Sequence, residues 1–176
     1  RIKDEAQDGN AIEAMSRGAS EGLHLALMVA AMLVAFIGLT ALVDSIFVWF
    51  GQQVGVHLSL ASLLGLLFGP VAWLLGVPWS ESQIVGNLLG QKIILNEFVA
   101  YVTLTKEAAQ LSPRTLIICV YALCGFANIA SIGIQVAGIG ALAPNQRGQL
   151  SRLGLRALLG GTLACLLTAA IAGILF

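Results

Sequence analysis

The chain has 176 residues, of which 58% are hydrophobic and only 10% charged, and nine basic side chains balance nine acidic ones. A soluble domain carries about 25% charged residues, so this composition, with a mean hydropathy of +0.91, identifies an integral membrane protein. Zero net charge and few, scattered basic residues exclude a nucleic-acid partner, and the length allows roughly five crossings at ~20 residues each, too few for most complete two-halved secondary transporters.

The chain opens at Arg1, without an initiator methionine. That start reads either as a cut through a longer protein or as a processed terminus. Residues 1–22 mix both charge signs with Ala, Gly and Ser, and form a polar cytoplasmic lead-in, helical in its second half. Residues 23–50 supply the first transmembrane helix, uncharged from 23 to 43 and closed by Asp44. His24, near its start, reads as an interfacial or packing residue. Cys119, Cys124 and Cys165 lie in apolar segments without metal-like spacing and read as small packing residues.

Residues 58–79 are apolar but interrupted by Pro70 and weakened by Gly65, Gly69 and Gly76, with Trp49, Trp73 and Trp79 flanking them. Indole rings concentrate at headgroup depth, so this segment reads as an interfacial helix, with a full crossing as the alternative. Gly65/Gly69 and Gly86/Gly90 both have the small-xxx-small spacing that lets helices approach closely.

Residues 80–110 hold Glu97 inside an apolar run. A charge at the centre of a bilayer costs about 2.5–3.5 kcal/mol on insertion scales, so Glu97 is a functional-site candidate. With Ser80 as cap, two arms of about 82–95 and 98–109 are each too short to span. Together they make a re-entrant hairpin with a polar tip. The alternative is one continuous helix in which Lys92 and Glu97 form a packed ion pair. Residues 113–143 contain about thirty residues without a charge, with Asn128 and Ser131 near the middle, which reads either as a transmembrane helix broken at mid-membrane or as a tilted, continuous one. The loop 144–156 carries Arg147, Arg152 and Arg156 and no acid. The positive-inside rule makes it cytoplasmic, so the last crossing, 157–176, leaves the C-terminus outside.

Glu97, Asn128 and Ser131 form a chemical set. An ionised Glu only accepts hydrogen bonds, Asn both donates and accepts, and a Ser hydroxyl does either. Asn128 and Ser131 share one face if the helix continues through them, and Phe126 adds an apolar surface nearby. Such a set suits a small polyhydroxy solute better than a conducted ion.

At these residues the chain resembles the concentrative nucleoside transporter family, in its C-terminal half, the second inverted repeat. The motifs are Gly76-Val77-Pro78-Trp79, Gly90-Gln91-Lys92, Asn96-Glu97-Phe98-Val99-Ala100-Tyr101, Cys124-Gly125-Phe126-Ala127-Asn128 with Ser131, and Leu142-Ala143-Pro144 before the arginine segment. The resemblance implies an all-α integral membrane fold with one re-entrant helical hairpin and one broken helix. It implies that Glu97, Asn128 and Ser131 hold the ribose of a nucleoside substrate, with Phe126 close to the sugar. It further implies a homotrimer in the plasma membrane, a bacterial inner membrane, that couples uptake to a sodium or proton gradient by an elevator-like movement. The N-terminal half of such a polypeptide reads the nucleobase and holds the coupling cation. No second hairpin motif occurs here, so the chain is expected to lack a cofactor or metal site and not to transport alone. The competing reading is a cation or proton transporter or channel subunit with Glu97 as the ion carrier. An enzyme is disfavoured, because His24 and His57 are far in sequence from Glu97.

Overall fold

The computed structural model describes residues 10–56 and 58–176, apart from the side chains of residues 32, 33 and 61. Most of the expected lead-in, residues 1–9, and His57 therefore lie outside the described residues. Among the described residues there are seven α-helices and no strand: α1 Ala11–Val54, α2 Leu60–Leu74, α3 Trp79–Ile94, α4 Glu97–Glu107, α5 Pro113–Leu123, α6 Ile129–Leu142 and α7 Arg147–Leu175. The described fold is all-α.

Local chemistry sets most of the boundaries. Asn10, Ser59, Asn96, Ser112 and Asn128 each accept a backbone N–H at the start of a helix, the role for which short polar side chains are selected. Pro113 follows Ser112 at a first helical position, where its missing N–H costs nothing. Gly55 ends α1 at φ 72° and Gly76 turns the chain after α2 at φ 95°, a left-handed region that L side chains rarely enter.

Three boundaries differ from the sequence reading. First, α1 is longer than the expected 23–50: it takes in residues of the lead-in and runs from Ala11 to Val54, 44 residues in all. The Asp44 carboxylate leaves the helix intact because its Oδ1 accepts the first N–H of α2, from Leu60, at 2.6 Å. Second, α3 begins at Trp79 behind Pro78, so Ser80 is a first-turn residue and not the cap. Third, Arg147, Arg152 and Arg156 belong to α7 and not to a loop; the connection is a 3-10 turn, Pro144–Gln146. Arginine is a good helix former and its long stem lets the charge stay in water, so the helix runs through them.

Two helical segments, Ala11–Val54 and Pro144–Leu175, are long and apolar enough to cross a membrane. Their outer faces expose Leu23, Leu27, Leu159, Leu163, Leu167 and Ile174, surface compatible with lipid. The shorter helices make the interior. Leu88 and Leu89 of α3, Ile118, Cys119 and Leu123 of α5, and Ala169 of α7 form one buried cluster. Arg114 Nε donates to Gly173 O at 2.8 Å and ties the start of α5 to the end of α7. Glu81 does the same for α3 and α5, accepting from the backbone N–H and hydroxyl of Ser112 at 3.2 and 3.1 Å.

Gly86 meets the first glycine pair. A methyl on Gly86 of α3 would lie 2.7 Å from Gly69 N and 3.0 Å from its Cα, and closer still to the Gly65 carbonyl oxygen of α2. These are backbone atoms, so they cannot swing away. Alanine gains up to about 1 kcal/mol in helix propensity over glycine, whereas forcing atoms into a packed seam costs roughly 1–3 kcal/mol. The clash wins. Gly86→Ala is expected to lower the melting temperature of the purified protein, whereas Gly160→Ala, which has open space around it, leaves it unchanged or higher.

Candidate substrate site

The polar residues converge where four helix ends meet. Between α3 and α4 the chain leaves the helix at Leu95 (φ −99°, ψ −91°) and extends at Asn96 (φ −169°, ψ 171°). Asn96 Oδ1 then accepts the Val99 N–H at 2.9 Å and restarts the helix, which puts Glu97 in the first turn of α4. A carboxylate is favoured there, because a helix N-terminus carries about half a positive charge. The arms are pinned by a bond from the Thr103 hydroxyl to Gln91 Oε1 at 2.8 Å.

The second break separates α5 from α6, with residues 124–128 between them. Asn128 and Ser131 form a reciprocal capping box. Asn128 Oδ1 accepts Ser131 N–H at 2.7 Å, and Ser131 Oγ accepts Asn128 N–H at 3.2 Å. The Ser131 hydroxyl also donates to Asn128 O at 2.6 Å. Asn128 is 1% exposed and Ser131 7%, and both are engaged in the capping box.

The two breaks are joined by one hydrogen bond. Asn128 Nδ2 donates to Glu97 Oε2 at 3.1 Å. The half-buried Glu97 carboxylate thus sits in the first turn of α4 and reaches the first turn of α6 through the amide that caps it. Lys92 points elsewhere, donating to Ala122 O at 2.8 Å; among the described residues it makes no ion pair with Glu97. A continuous helix with a Lys92–Glu97 pair is therefore not what forms.

The structure brings Glu97, Asn128 and Ser131 together and sets Phe126 slightly apart. Phe126 is 53% exposed and, with Ser131, lines a cavity of about 370 Å³ between α6 and α7. That volume lies in the range of small-molecule sites. Its other walls include Ile132, Gln135, Leu153 and Gly154, while Glu97 and Asn128 do not line it. Gln135 escaped the sequence reading. The available signal was its spacing, four residues past Ser131 in an otherwise apolar helix, which puts both on one face.

This geometry can be set beside known proteins. The chain matches the family described as Na+ dependent nucleoside transporter C-terminus over residues 1–173. It belongs to that family. A nucleoside permease of Helicobacter pylori, NupC, is 46% identical over 171 residues, covering 94% of this chain and 41% of the relative. An uncharacterized transporter of Bacillus subtilis, YutK, is 50% identical over 168 residues, covering 93% and 41%. The chain thus spans about two fifths of the length of these relatives. Among solved structures, a doubly substituted CNTnw in an outward-facing state superposes with a TM-score of 0.90 at 42% identity, covering 97% of this chain and 44% of that one. The inward-facing, substrate-bound state of CNTnw gives 0.71 at 44% identity, with 98% and 43% covered. The family is one of transporters, so the enzyme reading ends here.

The capping box makes a graded prediction. Losing an Asn cap costs about 0.5–2 kcal/mol, and Asn128→Ala also strips Glu97 of its donor. Ser131→Ala loses only the hydroxyl and keeps the Asn128 side-chain cap. Thermal unfolding of the intact transporter should therefore rank wild type above Ser131→Ala, and Ser131→Ala above Asn128→Ala.

Proposed function

We propose that this chain supplies the ribose-binding half of the site in a cation-coupled nucleoside transporter. The hydrogen bond from Asn128 Nδ2 to Glu97 Oε2 carries the reading. It holds a carboxylate beside the caps of two half-helices, with one oxygen engaged and Oε1 without a donor among the described residues. A sugar hydroxyl proton needs such an acceptor. The Phe126 ring and the α6–α7 cavity offer apolar surface next to it for the less polar part of a nucleoside. Membership in a family described as Na+ dependent, and the name of the Helicobacter pylori relative, support nucleoside as the solute class.

The same reading assigns the coupling ion, sodium or proton, to the half of the polypeptide that the relatives have in addition. That half would also read the nucleobase. A coupling ion acts by binding one conformation better than the other, so ion binding there would shape the cavity in which Glu97 meets the ribose. The assembly is a homotrimer in the plasma membrane, a bacterial inner membrane, with Arg147, Arg152 and Arg156 on the cytoplasmic side and the C-terminus outside. These 176 residues alone are not expected to move substrate.

The test is uptake of tritiated uridine by the intact transporter in proteoliposomes under an imposed sodium or proton gradient. Glu97→Gln keeps an oxygen for Asn128 Nδ2 but presents an amide where the second carboxylate oxygen stood. Hydrogen bonds to charged groups contribute about 1.5–3 kcal/mol, so uridine affinity should fall roughly 10–100-fold. Uridine uptake indifferent to this change would make the carboxylate structural. If no nucleoside moves, Glu97 as an ion carrier becomes the leading assignment.

A further inference from the structure

An α-helix leaves its last four carbonyls without intrahelical partners. At the broken end of α5 these are the carbonyls of residues 120–123. Val120 O accepts the Tyr101 hydroxyl at 2.7 Å, Tyr121 O accepts the Cys124 N–H at 3.4 Å, and Ala122 O accepts Lys92 Nζ at 2.8 Å. Two of these three donors are side chains of the hairpin, one from each arm. Lys92 is 1% exposed and is the largest fully buried side chain among the described residues.

A buried ammonium carries a desolvation penalty of several kcal/mol, and here a carbonyl and a helix C-terminus, with its roughly half negative charge, oppose that penalty. In membrane transporters the carbonyl ends of broken helices are places where sodium or protons are coordinated. In this chain the place is filled from within. We propose that Lys92 is a tethered cation, held permanently at the carbonyl end of α5 in place of an exchangeable ion, and that it positions the hairpin on the broken helix. Lys92 grips the carbonyl end of the break, and Glu97, five residues on, reaches the amide end through Asn128. Each charge faces the helix end of opposite sign. A methyl on Gly125 would lie 3.8 Å from Nζ, in ordinary van der Waals contact.

The inference rests on the geometry of the break and not on the identity of the solute. Its test is the melting temperature of the intact transporter carrying Lys92→Ala, measured in choline chloride, ethylammonium chloride and sodium chloride. The expected result is a fall of several degrees in choline, at least half of which returns with ethylammonium, while wild type responds to neither salt in this way. Lys92→Met, which fills the space without a charge, should show the fall and no recovery. Wild-type stability of Lys92→Ala in choline, or a loss that neither ethylammonium nor sodium repairs, overturns the proposal. Should Lys92→Ala not yield folded protein, Lys92→Met carries the test through uridine binding. A weakening of about tenfold supports a positioning cation, and unchanged binding overturns it. Failure of the wild-type protein to bind uridine would count against the nucleoside assignment only, because the melting measurements need no substrate.

Discussion

A helix that stops inside a membrane exposes backbone N–H and C=O groups where no water can satisfy them, and the polar side chains around the two breaks meet that demand. Each unpaired group costs several kcal/mol in hydrocarbon. The two breaks at Leu95–Asn96 and at residues 124–128 answer it by packing against each other. Asn96 and Asn128 cap the restarting helices from within, and Tyr101 and Lys92 reach across to the carbonyls that α5 leaves behind. With the helix ends satisfied in this way, Glu97 is held in the first turn of α4 beside the cap of α6. The carboxylate is thus a consequence of the breaks as much as their purpose.

This arrangement also separates two kinds of polar residue that look alike in one dimension. Asn128 and Ser131 are buried and engaged with the backbone of α6, so their first role is to end and start helices. Glu97 is half-buried, and only one of its oxygens is used. Any solute that docks here meets the carboxylate as an acceptor, while the capping box holds that acceptor at a fixed place. Rigidity of the supporting groups keeps the cost of ordering them low at the moment of binding.

Part of this is legible in the residues: Glu97 stands out against its apolar neighbours, and Asn128 and Ser131 interrupt the apolar run of 113–143. The caps are not: the sequence reading offers only Ser80, which lies in the first turn of α3, while Asn96, Ser112 and Asn128 take that role. The glycine spacing at 65/69 marks a close-contact surface, which Gly86 meets. What could not be read depends on distant partners. Lys92 finds Ala122 thirty residues on, which no pattern around Lys92 announces, so an ion pair with nearby Glu97 was the natural alternative. Asp44 looked like a helix end until the N-terminus of α2 arrived to accept it as a cap. The charges of Arg147, Arg152 and Arg156 suggest a loop, whereas arginine's helix propensity carries α7 through them.

The glycine seam between α2 and α3 has a mechanical meaning. Two backbones that touch with no side chain between them have no rotamers to rearrange, so the contact can slide or separate but cannot deform gradually. The short helix α2 and the first arm of the hairpin therefore behave as a single stiff plate, with Pro78 and Gly76 as its fold line. A displacement of α2 is therefore carried through the backbone contact to the first arm, which ends at the hairpin tip, Leu95–Asn96.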